Sequence, residues 1–184
     1  MKIIKKVLII LAVIIAIPIV VALFVKKEFH VERQISINKP NELVFDFVKH
    51  LKNQDLFSKW NTMDPNMEKS YKGVDATVGF TASWDSENPD VGKGEQEILK
   101  IDEGKRIEFE LRFLEPMKTK NKAYMTTSSI SEQATIVKWG FDGKMNYPMN
   151  LMMVLIDFDE MLGSDLQIGL DKLKTILEMQ TNDQ

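Results

Sequence analysis

No cysteine occurs in the 184 residues, and that absence removes disulfides, a thiolate nucleophile and every cysteine-ligated zinc or iron–sulfur centre. Histidine is scarce as well. His30 falls on the polar parity of a strand pattern, and His50 lies near a helix end beside Lys49 and Lys52. Neither stands in a metal-ligand spacing such as HExxH, so no zinc site and no histidine base is expected. Positive charge is short once the first 28 residues are set aside. Lys2, Lys5, Lys6, Lys26 and Lys27 flank one apolar run, and from Phe29 onward 19 basic residues face 26 acidic ones. A domain with that balance is repelled by a phosphate backbone, so no nucleic-acid partner is expected. Gly92-Lys93-Gly94 has neither the GxxxxGK(S/T) spacing nor a following helix, and reads as a hairpin turn rather than a phosphate loop. No cofactor motif is present.

What the chain does have is one long apolar run. Val7 to Val25 reads VLIILAVIIAIPIVVALFV, nineteen residues without a charged or polar side chain. At 1.5 Å per residue this spans about the 30 Å hydrocarbon core of a bilayer. Pro18 is tolerated in such a span. A cleaved signal peptide would need a shorter apolar stretch and a small-x-small site, whereas Leu23 is followed directly by Phe24, Val25, Lys26 and Lys27. The expectation is an uncleaved anchor over residues 1–28 and a folded domain over residues 29–184. The lysines on the two flanks favour a cytoplasmic N-terminus, which places the domain outside the cytoplasmic membrane of a bacterium.

The composition, 44% hydrophobic and 28% charged, is that of one folded domain. Phe29 to Ile37 alternates apolar and polar residues, as a half-buried strand does. Pro40 opens a helix in which Val44, Phe47, Val48 and Leu51 share a face, and a second helical piece covers Gln54 to Trp60. After a turn at residues 61–65, strands are predicted over Thr77–Trp84, Gly94–Ile101, Ile107–Phe113, Lys120–Ile130 and Ala134–Phe141. Their short turns imply hairpins. A long C-terminal helix carries Phe158, Leu162, Leu166, Leu170, Leu173 and Leu177 at steps of three or four. The fold class is therefore α+β, with the last helix on the concave face of a curved antiparallel sheet.

In this order the segments VERQISINKPNELVFDFV, FSKWNTMDP, GKGEQEILKI, ATIVKWGF and YPMNLMM…DFDEMLGSDLQIGLDKLK resemble the helix-grip fold of the START/SRPBCC superfamily, in its polyketide cyclase/dehydrase-like branch. The resemblance covers about Phe29 to Met179. It implies a deep apolar cavity between sheet and last helix that holds a lipid, polyketide or other hydrophobic small molecule, and it leaves the reaction, if any, open.

Inward parity then nominates Phe80, Trp84, Phe109, Phe113, Met125, Val137, Trp139 and Phe141 as cavity lining, joined by Met149, Met152, Met153 and Met161 from the approach to the last helix. Thioethers and aromatic faces suit an apolar guest. The same side chains also suit a filled core, and Trp60 reads as a packing anchor. Glu95 and Glu97 share a strand face, while Asp157, Asp159 and Glu160 sit where the helix macrodipole favours acids. The leading expectation is a membrane-tethered binding or transfer module. The alternatives are a cyclase- or hydrolase-type enzyme, with Tyr124 or Glu97 reaching the cavity, and an interaction accessory of a membrane complex.

Overall fold

The structure, a computed structural model, describes residues 2–179. Helix α1 (Lys2–Ala22) contains the apolar run, and almost all of its side chains stand clear of the rest of the protein. Strand β1 (Glu28–Ile37) follows after five residues. Next come α2 (Asn41–Lys49), a 3-10 turn (Leu51–Asn53) and two short helices, α3 (Gln54–Phe57) and α4 (Lys59–Met63). Six strands form a meander: β2 (Glu68–Lys72), β3 (Thr81–Asp85), β4 (Lys93–Asp102), β5 (Arg106–Glu115), β6 (Thr119–Ser131) and β7 (Ala134–Lys144). A 3-10 turn (Met149–Leu151) and α5 (Met152–Leu155) lead into α6 (Phe158–Met179).

The seven strands make one antiparallel sheet in the order β1-β7-β6-β5-β4-β3-β2. The meander pairs neighbours through hairpins, and β1 closes the far side by pairing with β7 from Glu28↔Lys144 to Ile37↔Thr135. This is the helix-grip fold: the sheet curls, and α6 lies in its concave face. The α6 stripe Leu166, Leu170, Leu173 and Leu177 is buried against Val31, Ile37, Phe109, Met125 and Val137, with Val44, Phe45 and Val48 of α2 closing one end. The alternation of apolar and polar residues along β5 places Ile107 and Phe109 inside and the charged residues outside, because successive strand side chains point to opposite faces.

Two stretches depart from the periodic reading. The strand expected from Thr77 begins only at Thr81, since Asp75 ties the preceding loop to the helices by accepting the Leu51 and Ala76 amides, each at 2.8 Å. Val78 is exposed there. Strand β2, EKSYK, was not expected at all: it is an edge strand, exposed along its length, and so has no apolar alternation to betray it.

At the start of α6, Asp157 Oδ1 accepts the Glu160 amide at 3.0 Å and caps the helix. Asp159 takes a two-pronged hydrogen bond from Arg33, with both N···O distances 3.0 Å. Arg33 occupies the inward parity of β1 opposite Trp139, so it reaches α6 across the concave face. Gly163 makes the space: a Cβ there would lie 2.0 Å from Arg33 Nη2.

Candidate functional site

The concave face is not filled along its whole length. A cavity of about 230 Å³ lies between the sheet, the short helices α3 and α4, and the first turns of α6. On β3, β4 and β5 it occupies the rungs nearest the α1 end. Phe80, Ile98 and Phe109 form a solid rung, and the next two, Ala82–Gln96–Leu111 and Trp84–Gly94–Phe113, border the space. Trp139 and Phe141 reach in from β7, Trp60 from α4, and Leu162 and Leu166 from α6.

Two glycines seat two of the tryptophans. A Cβ at Gly94 would stand 2.5 Å from Trp84 Cζ2, and one at Gly169 would stand 2.7 Å from Trp139 Cζ3. Trp84 then meets Phe113 edge to face at 5.9 Å, and Trp139 meets Phe57 at 5.5 Å and Trp60 at 6.3 Å. Such aromatic contacts stiffen the wall and leave ring faces for a guest.

One side of the cavity is polar. Asp55 of α3 sits between two residues of the edge strand: Lys69 Nζ is 3.0 Å from its Oδ1, and the Tyr71 hydroxyl donates to its Oδ2. Burial pushes the Tyr71 phenol well above its ordinary value, and the Asp55 carboxylate pushes the same way. At neutral pH Tyr71 is therefore a hydrogen-bond donor and not a base. Gln54 also lines the cavity, is 4% exposed, and has an amide nitrogen without a hydrogen-bond partner. A buried donor left unmade costs roughly 1–3 kcal/mol. The arrangement suits a guest with an apolar body and a hydrogen-bond acceptor.

Of the nominated lining residues, Trp84, Phe113, Trp139 and Phe141 border the cavity. Phe80, Phe109, Met125 and Val137 do not; each is at most 1% exposed and belongs to the packed core. Strand parity selects the face of the sheet but not the rung, so it cannot separate core from lining. Met149, Met152, Met153 and Met161 also lie outside the lining. Met149 is 46% exposed, because the segment before α6 turns toward the end of α1 instead of into the cavity, and Met161, also 46% exposed, stands on the outer face of the first turn of α6.

Trp60, read as a packing anchor, is part of the wall. Glu97 and Tyr124 point to the convex face: Glu97 and Glu95 both bind Arg112, and Tyr124 donates to Glu32 beneath the Arg106 guanidinium, 3.9 Å from the ring centre. Sequence reasoning missed Gln54, Asp55, Lys69 and Tyr71. The sole signal available was an aromatic residue interrupting a polar stretch at Tyr71. Among the described residues no group of three or more acidic or histidine side chains gathers at metal-binding distance.

No family model and no curated protein matches the sequence. Solved structures do match the fold. Norcoclaurine synthase from Thalictrum flavum, in complex with dopamine and hydroxybenzaldehyde, superposes with a TM-score of 0.63 at 8% identity, over 85% of this chain and 90% of that one. Ginseng major latex-like protein 151 from Panax ginseng gives 0.58 at 13% identity, over 82% and 98%. A protein from Chromobacterium violaceum gives 0.57 at 16% identity, over 81% and 96%. At these identities the likeness is one of fold.

Proposed function

We propose that the protein binds a small hydrophobic molecule in this cavity while held at a membrane by α1. The observation that carries the reading is the space itself: an aromatic-walled hollow where the same fold could have been packed solid, with the unpaired Gln54 amide on its boundary. The size narrows the guest. The cavity volume is about 230 Å³. That is below the roughly 300–1,000 Å³ typical of drug-sized sites. A one- or two-ring molecule or a single acyl segment fits, and a whole two-chain lipid does not.

The anchor reading, residues 1–28 joined to a domain of residues 29–184, draws support from α1 and from its join to the domain. Ile3–Ala22 has a mean hydropathy of 2.8 over its most apolar stretch and, up to its buried last residue Ala22, stands largely clear of the rest of the chain. The Asn150 amide donates to the carbonyls of Ala22 and Val25. Removing the helix would strip an acceptor from a fully buried side chain whose Oδ1 already lacks a partner. A cytoplasmic N-terminus, with the domain on the far side of the membrane, follows from the flanking lysines.

The test is native mass spectrometry of the full chain released from mild detergent, followed by organic extraction. A guest of small mass that leaves with the solvent is expected. Protein that is empty from every membrane source would count against the reading. The Asp55–Lys69–Tyr71 cluster favours a second reading, an enzyme acting on that guest. Its test is Lys69→Met: turnover of a bound guest that survives this change would remove the cluster from any chemistry.

A further inference from the structure

The end of α1 and the hollow end of the sheet lie on the same side of the molecule; the surface is apolar beside α1 and polar farther across, where Glu68, Asp85, Glu87, Lys93 and Glu115 rim the ends of β2 to β5. The join is short and pinned. Ala22 is fully buried, and the Asn150 amide lies 2.7 Å from the Ala22 carbonyl and 2.9 Å from that of Val25. The last carbonyls of a helix have no partners within it, so Asn150 supplies an outside donor. Two residues on, the Met145 amide donates to the Lys27 carbonyl at 2.8 Å and continues the β1–β7 ladder into the connector. The domain therefore does not hang on a loose tether.

Residues 147–156 read YPMNLMMVLI, ten positions without a charge. Asn150, the one amide among them, is turned inward onto α1. What faces outward is apolar: Met149 is 46% exposed, Val154 61% and Leu155 72%, next to Leu23 at 61% and Phe24 at 86%. The sheet register carries this side across the molecule. Glu28 opposes Lys144, and the same ends of the remaining strands bring Thr119 opposite Phe113 and Gly94 opposite Trp84.

We propose that residues 147–156, together with Leu23 and Phe24, form a second membrane contact, a foot that enters the surface of the bilayer α1 crosses. The inference rests on the reading of α1 as a membrane span. If Lys2–Ala22 crosses the hydrocarbon, Ala22 lies at its boundary, and a side chain hydrogen-bonded to Ala22 lies there too. Apolar groups seated at that depth enter the headgroup and acyl boundary by about 5–10 Å. Tyr147 then sits at headgroup level, where amphipathic rings are favoured. Lipid is the occupant the geometry selects, because the patch runs without a break into the apolar exterior of α1.

The absence of cysteine makes the test direct. The variants Ile14→Cys, Leu155→Cys and Ile130→Cys stand at positions 60%, 72% and 56% exposed, and Ile130 lies in the β6–β7 turn region at the opposite end of the sheet. Each full chain is labelled with an environment-sensitive fluorophore and placed in phosphatidylcholine–phosphatidylglycerol nanodiscs containing nitroxide lipids at shallow or deep positions. Ile14→Cys is expected to respond most to the deep nitroxide. Leu155→Cys is expected to respond to the shallow one at least about twofold more than Ile130→Cys. Leu155→Cys quenched no more than Ile130→Cys, with Ile14→Cys strongly quenched, would overturn the foot and leave the anchor standing. An unquenched Ile14→Cys would overturn both. Leu155→Cys shielded from nitroxide lipid and from aqueous iodide alike would assign the patch to a protein partner and also overturn the proposal.

Discussion

The two ends of the concave face use the same residue types to opposite effect. At the end closed by α2, aromatic and aliphatic side chains from sheet and helix interlock: Phe109, Met125, Val137, Leu170 and Leu173 are all at 0% exposure. At the α1 end Trp84, Leu111 and Phe113 stand equally inward, yet there the facing elements are the short helices α3 and α4 and the first turns of α6, and space remains. An apolar inward face is thus a condition for a ligand site and not a sign of one. What distinguishes the hollow end is who stands opposite.

That difference can be tested by substitution. The largest effect is expected from Phe109→Ala, a fully buried truncation at the packed end, which should cost about 3–5 kcal/mol in denaturant unfolding of the full chain. Trp84→Ala removes more atoms but borders space already, and should cost about 1–2 kcal/mol while weakening guest binding strongly. A Trp84→Ala loss as large as that of Phe109→Ala would erase the contrast between the ends.

Gly169→Ala drives a methyl against Trp139 and should cost about 1–3 kcal/mol, read as a lower Tm and a shift in tryptophan emission. Leu111→Trp should do the reverse of a core insertion: it fills the hollow, leaves Tm near that of the parent and abolishes guest binding. The smallest effect is on pH. Hydrogen bonds from Arg33 hold the Asp159 carboxyl below the usual range, and those from Lys120 and Arg112 do the same for Glu110 against the opposing effect of burial. Because these folded-state values are depressed, their stabilisation is complete above the ordinary carboxylate value of about 4 and is lost as pH falls through the lower folded values. Both pairs are solvent-screened, so a thermal scan between pH 7 and pH 3 should show them contributing only a few degrees.

Much of this architecture was legible in the amino-acid order. Strict alternation in β5 and three-to-four spacing in α6 come directly from burying one face of a strand or helix, so both elements and their inward residues could be read. The exposed edge strand β2 could not, because nothing in EKSYK answers to burial. The site was half legible for the same reason. Parity found Trp84, Phe113, Trp139 and Phe141 but could not tell their rungs from those of Phe80 and Met125. Asp55 and Lys69 meet only when α3 folds against the sheet edge, a pairing with no local pattern. Met149, Met152 and Met153 were assigned to the cavity by composition, yet the inward turn of Asn150 toward α1 takes their segment elsewhere, and Met161 stands on the exposed face of α6.

The central claim, that the α1 end of the concave face holds a small apolar guest, is tested most directly by photolabelling. Membranes containing the full chain are irradiated with a small aryl diazirine, and adducts are mapped by peptide mass spectrometry. The expected result is adducts on Trp84, Leu111, Phe113 or Trp139, lost in Leu111→Trp, with lipid-side labelling of α1 unchanged in both. Adducts confined to α1, or cavity adducts that persist undiminished in Leu111→Trp, would contradict the account.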